Sequence, residues 1–296
     1  MSSLDRTYKI EQPPFPAMSW EKYQAHVESE WKRLLASEDS RIEGRIQSFL
    51  EQHPSLIPGC FSLPLPSGHY PFPEAVISQP PLRGIRTKVP DFMWLATDSK
   101  TLYPVLIEIE IPSKRWFTEK GTPHSDLTQA LDQLATWKQW FGVAENKALF
   151  LKTYKVPLDL QEKAFHPLFV LIYGSRDEFK GKPGLNAKRE YLQRPDEYIM
   201  TFNRLSPEPK ADELMCVQLV ESVGDSQYVA VSVPATLSLS PSLAEERALI
   251  SNKAKAIQNN PLISPERKAF LLSRLDYWDE WAKQGRHGII SLGDRE

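Results

Sequence analysis

Apolar and polar positions alternate one by one from Val105 to Ile111, in the run Val-Leu-Ile-Glu-Ile-Glu-Ile. Successive side chains of a strand point to opposite faces. The pattern therefore predicts a strand with Ile107, Ile109 and Ile111 on one face and Glu108 and Glu110 on the other. The extended segment before it (KVPDFMW, 88–94) and the polar link Thr97-Asp98-Ser99-Lys100 complete an expected hairpin. Elsewhere the spacing is helical. Trp20, Tyr23, Val27, Trp31 and Leu34 predict one amphipathic helix, and Ile42, Ile46, Phe49 and Leu50 a second that stops at Pro54. From Asp126, Leu127, Ala130, Leu131, Leu134 and Phe141 fall on one arc, with Asp126, Gln129, Gln133, Thr136 and Trp140 opposite.

The short apolar run Ala148–Thr153 and the continuously apolar Leu168–Tyr173 read as strands covered on both faces. Between them Gln161-Glu162-Lys163 suggests a short helix. Helix is also expected over Lys188–Arg194, an edge strand over Tyr198–Phe202, and a hairpin from Leu214–Val220 and Tyr228–Val233 turning at Gly224-Asp225. From Ser242 the pattern is helical again until Asn259-Asn260-Pro261. Ser264-Pro265 then opens a last helix as N-cap and first residue. The prolines at 54, 58, 64, 66, 71, 73, 80 and 81 mark residues 54–83 as an irregular surface excursion. We divide the chain into a leader and helix (1–39), a central α/β domain (40–205) and a C-terminal hairpin with helices (206–296).

Composition narrows the class. The chain has 296 residues, 41% hydrophobic and 25% charged, the balance of an ordinary globular protein. A net charge of −2 argues against coating nucleic acid by bulk charge, though not against a local basic groove. Cys60 and Cys216 form neither a CxxC nor a Cys/His cluster, which suits a reducing compartment. The first residues lack a signal-peptide layout, and no apolar run approaches the roughly 20 residues of a membrane span. We expect a soluble, cytoplasmic protein without a membrane partner.

The chemistry is expected where Asp91, after Pro90, meets Glu108 and Glu110. Carboxylates gathered beside a sheet are costly unless a positive group holds them, and oxygen ligands suit a divalent cation. The bland readings are a turn residue at Asp91 and solvent-facing glutamates on a half-exposed strand. Glu43 reads equally as partner of a Ser40-x-x-Glu43 capping box or as a metal ligand. Lys114 and Arg115 read as exposed cations by default, and His124 as a loop residue. Trp137, Trp140, Trp278 and Trp281 read as packing. The basic cluster of Lys180, Lys182, Lys188, Arg189 and Arg194 suggests either phosphate contacts or a solvated face.

The segments IEGRIQSFLEQHP (42–54), VPDF (89–92) and IEIEIPSKRWFTEKGTPHSDLTQALDQLATWKQWF (107–141), and more loosely LIYGS (171–175), resemble the nuclease domain of the Shedu anti-phage defence family. The order of parts is similar to the PD-(D/E)xK restriction-endonuclease-like fold, a mixed sheet flanked by helices. What the resemblance implies is Mg2+- or Mn2+-dependent cleavage of DNA in a bacterial defence system, by an oligomer of this chain. Asp91 and Glu108 would be metal ligands, with Glu110 and Glu43 as further candidates. Lys114 would stabilise the phosphate, and Gln133 would orient water or substrate. One position departs from the wider pattern: Glu110 stands where the fold carries lysine. Either Lys114 reaches back to the phosphate, or the lysine function is weakened. The alternative to an endonuclease is therefore a nuclease-fold module that binds DNA or its ends without cutting. A structural scaffold is a third reading.

Overall fold

The computed structural model describes residues 6–63, 69–84, 87–222, 225–285 and 289–296. Pro64 and Pro66 of the expected excursion, Gly224 of the expected turn and the first five residues lie outside that set. Helix α1 (Trp20–Ala36) starts at Ser19, whose side chain accepts from Lys22 N, and buries Tyr23, Val27 and Trp31. Trp31 stacks on Phe49 of α2 (Glu43–Gln52) at 5.4 Å between ring centroids. Both helices thus follow their apolar stripes. Helix α2 ends at Gln52, and His53, the residue before Pro54, leaves the helical region at φ −131° and ψ 68°.

A nine-stranded mixed sheet forms the centre. The strands are β1 (Phe72–Ser78), β2 (Phe92–Thr97), β3 (Thr101–Ile109), β4 (Ala164–Phe165), β5 (Leu168–Ile172), β6 (Glu197–Met200), β7 (Met215–Ser222), β8 (Asp225–Ser232) and β9 (Ile250–Ser251). Their spatial order is β6-β5-β3-β2-β1-β7-β8-β9, with β4 paired to β3. The β2–β3 and β7–β8 hairpins are antiparallel, as expected, whereas β3–β5, β5–β6 and β1–β7 are parallel. The sheet runs unbroken from residues before 205 to residues after it through the β1–β7 pair. Helices flank it: α3 (Ser125–Phe141) packs on β5, and α7 (Ala244–Ala248) and α8 (Lys253–Asn259) pack on β1 and β8. Helix α9 (Pro265–Lys283) opens at Ser264, whose hydroxyl accepts from Arg267 N at 3.2 Å. It holds residues of the N-terminal leader: Tyr8 packs on Trp278 and Trp281, and Arg274 pairs with Glu11.

Four expectations are corrected. Residues 148–153 belong to helix α4 (Ala144–Thr153), not to a strand. Ala, Leu and Lys favour helix, and only Thr153 in that run is β-branched, so the apolar run alone misled. The described residues of 54–83 are not a surface excursion, because Pro54–Cys60 are buried and β1 lies between β2 and β7. Pro54 and Pro73 are accommodated rather than exposed: Pro54 opens a 3-10 turn, and Pro73 sits where the β1–β2 pairing slips register. The helix expected over Lys188–Arg194 is α6 (Pro183–Glu190), begun by Pro183 at its first turn. The helical stretch from Ser242 is interrupted by β9, which pairs Ile250 with Tyr228. The short helix expected near Gln161 is α5 (Leu158–Gln161).

Candidate functional site

The antiparallel register pairs Phe92 with Ile107, so the next pair along the ladder sets Asp91 opposite Glu108. The backbone enforces this. Asp91 N donates to Ile107 O at 3.1 Å, and Ile109 N donates to Asp91 Oδ2 at 2.7 Å. The aspartate side chain thus replaces the next main-chain acceptor and fastens itself to the end of β3. The Asp91 and Glu108 carboxyls lie close enough for each to shift the protonation of the other. Residues Pro104–Ile109 are buried on both faces of the sheet. Glu108 is therefore only 8% exposed, and its Oε2 is buried with no hydrogen-bond partner. Burial pushes Glu108 up to about 10, and the charges of Asp91, Glu110 and Glu43 add to this. Burial likewise raises Asp91 to about 7, against the pull of the Ile109 N–H.

The other expected residues surround this pair at different ranges. Glu110 N donates to Ile172 O at 3.0 Å, and the Glu110 carboxylate is ion-paired with Lys114. Glu43 begins α2 and is exposed, its charge still reaching Asp91 and Glu108. The capping box is not formed: Ile42 is the N-cap, and Ser40 Oγ donates to Ser37 O instead. Gln133 is half-buried and Gln129 exposed on α3; among the described residues Gln133 has no hydrogen-bond partner. His124 caps α3, its Nδ1 accepting from Asp126 N.

Among the described residues, no three His, Cys, Asp or Glu side chains converge closely enough to hold a metal ion as they stand. The reason is visible. Asp91 Oδ2 is bound to the main chain, Glu110 is turned to Lys114, and Glu43 is out in solvent. The donor pair whose chemistry fits a hard cation is Asp91 with Glu108, where among the described residues a carboxyl oxygen lies buried and unpartnered.

Sequence reasoning missed the groups that hold this arrangement. Gln47, one turn beyond Glu43, donates to the Asp91 carbonyl at 3.4 Å and to Ser78 Oγ at 3.2 Å. Ser78 Oγ in turn donates to Glu51 Oε1 at 2.5 Å. Glu43, Gln47 and Glu51 recur every four residues, a polar stripe on an otherwise apolar-patterned helix, and that was the available signal. On the other flank, Glu178 accepts from Trp116 N at 2.9 Å and Phe117 N at 3.0 Å, tying the chain after β5 to the loop after β3. Gly174, at φ +61°, makes the turn there, and a Cβ on it would meet Lys114 O at 2.7 Å.

Two hollows lie beyond the end of β3, the second of them predominantly basic. A hollow of about 460 Å³ is lined by Lys32, Glu38, Arg41, Ser113, Asp177 and Asn203 among others, its charges balanced. A neighbouring one of about 360 Å³ is lined by Ser113, Lys114, Arg115, Lys180 and Lys182, with Asp177 and Glu178. Both lie beyond the carboxyl ends of the parallel strands β3 and β5, where ligands of open α/β sheets commonly bind.

A family model described as Shedu protein SduA, C-terminal, matches residues 40–206, more than half of the chain. The chain belongs to the Shedu family. No curated protein matches it. The Shedu match contains α2, the β2–β3 hairpin with Asp91, Glu108 and Glu110, Lys114, α3 with Gln133, and strands β5 and β6. Helices α7, α8 and α9 lie outside the Shedu match, and there Trp278 and Trp281 are buried packing residues. Trp137 is buried on α3, and Trp140 donates to Arg83 O at 2.9 Å, so neither is presented as a stacking platform. Among the described residues no helix is long and apolar enough to cross a membrane.

Proposed function

We propose that this Shedu chain is a catalytically weakened nuclease-fold module, PD-(D/E)xK-like in ancestry, that grips DNA without efficient cutting. Glu110 carries this reading. It occupies the third motif position, where the wider fold has lysine, and it engages Lys114, the nearest cation. A lysine neutralised by a neighbouring carboxylate contributes less to stabilising charge on a phosphate than a free one. The basic ground beyond β3 supplies sequence-independent attraction for the DNA backbone. The setting is bacterial phage defence in the cytoplasm, with copies of this chain assembling through surfaces outside the sheet.

A second reading, a Mg2+-dependent DNA endonuclease, is favoured by one observation: the buried, unpartnered Glu108 Oε2 opposite Asp91. A divalent ion held by these two carboxylates, with Glu110 and Glu43 close enough to contribute charge, would activate water and offset charge on the phosphate. In that case Glu108 would give up its proton on loading, Lys114 would turn from Glu110 to the phosphate, and Gln133 would orient water or substrate. Plasmid and linear DNA incubated with Mg2+ or Mn2+ separate the readings. Salt-dependent binding with intact DNA supports the module. Cleavage that vanishes in Glu108→Ala supports the enzyme, and no binding at all leaves a structural scaffold.

A further inference from the structure

On the far side of the basic ground, a hollow of about 490 Å³ lies between a 3-10 turn (Arg176–Phe179) and the start of α6. Its lining includes Arg176, Lys180, Lys182 and Arg189, with no acidic side chain. Arg189 is the fixed member. Its guanidinium lies over Phe179, 4.8 Å from the ring centroid, and over Trp116, 5.3 Å from the ring centroid. Such stacking limits its rotamers while leaving the edge of its donor fork for a planar or tetrahedral anion.

The charges around it are unbalanced. Burial lowers the pKa of Arg189, and Arg176 and Arg204 lower it further by like-charge repulsion, opposed by Glu190. Among the described residues Arg176, Lys182, Arg189 and Arg204 form no ion pair. The nearby acids are engaged otherwise: Asp177 pairs with Lys180 at 2.7 Å, and Glu178 is bonded to the amides of Trp116 and Phe117. Crowded cations that lack internal partners are stabilised by an external anion, as crowded carboxylates are by a cation. Trp116 connects the two ends mechanically, because the same loop carries Lys114 beside Glu110 and the ring that supports Arg189.

We propose that this hollow is a seat for a backbone phosphate of the bound nucleic acid, with Arg189 as its fixed donor and Arg176 as its mobile one. The inference rests on the DNA-binding reading above and adds a direction to it. The strand runs from the carboxylate end of β3, past Arg115, Lys180 and Lys182, to Arg189. Two sources of phosphate are distinguishable, a polynucleotide backbone and the free anion, and the polynucleotide is the one proposed, because the hollow continues the basic track rather than closing on itself.

The test is fluorescence anisotropy of labelled duplex DNA with the full chain over a range of salt. Arg176→Gln with Arg189→Gln should weaken binding by roughly tenfold and make the slope of log K against log salt shallower by about two. Exposed Arg176→Gln alone should give about half of that slope change, and it guards against a folding defect at Arg189. Lys255→Gln, on exposed α8, should change neither beyond the loss of one distant charge. Unchanged affinity and slope in the double variant, with wild-type binding intact, overturns the seat and leaves the DNA-binding reading standing. Full displacement of DNA by excess inorganic phosphate at constant ionic strength overturns it in favour of a free-anion site. Absence of salt-dependent binding by the wild type overturns the seat and the DNA-binding reading together.

Discussion

Asp91 and Glu108 face one another across the β2–β3 pair, with the Ile109 amide fastening the aspartate in place and burial holding the proton on Glu108. The pair is costly to the fold without a cation. Glu108 binds its proton more tightly when folded than when unfolded, so raising pH favours the unfolded chain. At pH 7 the cost is on the order of 3 kcal/mol, because an unfolded glutamate is already ionised there. Glu108→Gln keeps a donor for Asp91 and carries no charge. The variant should melt at higher temperature than the wild type in metal-free buffer. It should also lose the fall in stability, about 1.4 kcal/mol per pH unit, that the wild type shows between pH 7 and 8.5. Equal melting temperatures and equal slopes would contradict a Glu108 that keeps its proton in the fold.

His53 acts in the opposite sense. Burial behind Tyr23 and Phe49 lowers it to about 4, with repulsion from His26 adding to the shift. Its folded pKa lies below its unfolded one, so the stability it contributes is full above about 6.5 and is lost as pH falls toward 4. Chemical denaturation at pH 7 and pH 5 should show a steeper loss for the wild type than for His53→Gln. The gap between the two slopes is expected to be about 1 to 2 kcal/mol over that interval.

Gly174 fixes the loop that carries Lys114. Its φ of +61° disfavours any side chain, and a Cβ would lie 2.7 Å from Lys114 O and from Trp116 Nε1. Gly174→Ala should cost roughly 2 to 5 kcal/mol, combining the left-handed penalty with overpacking. Since the displaced loop also supports Arg189, a thermal melt and a DNA-binding titration should both register the change. Gly181→Ala is the contrast: also at positive φ, at +71°, but with open space around the new Cβ, it should cost only the conformational part.

Gln47 ties α2 to the Asp91 carbonyl and to Ser78. Gln47→Ala should lower stability by about 1 kcal/mol. Under the endonuclease reading it should also reduce metal-dependent cleavage more than DNA binding, because Gln47 would no longer steady the Asp91 backbone. Equal losses in both would mark Gln47 as structural only.

The parts of this molecule that were legible in the sequence are those set by local periodicity. The alternation through Ile107, Glu108 and Ile109 placed a strand, and the stripe of Leu127, Leu131 and Leu134 placed the face of α3. The meeting of Asp91 with Glu108 was legible as well, since a short hairpin brings the two ends together. What stayed hidden depends on tertiary cover. Nothing local distinguishes a glutamate on a half-exposed strand from one buried at 8% exposure. Pro73 looked like a breaker because its bulged pairing with β2 involves residues twenty positions away. The Glu110–Lys114 ion pair and the Gln47 bridge are likewise side-chain choices that spacing permits but does not dictate.

The most direct measurement is the fate of supercoiled plasmid and linear DNA held with the wild-type chain in Mg2+ or Mn2+, with binding followed in parallel and Glu108→Ala as control. The weakened-module account predicts salt-sensitive binding that persists in chelator, with the DNA left intact. Nicked or linear product that forms only with metal and disappears in Glu108→Ala would contradict it and establish a working hydrolase.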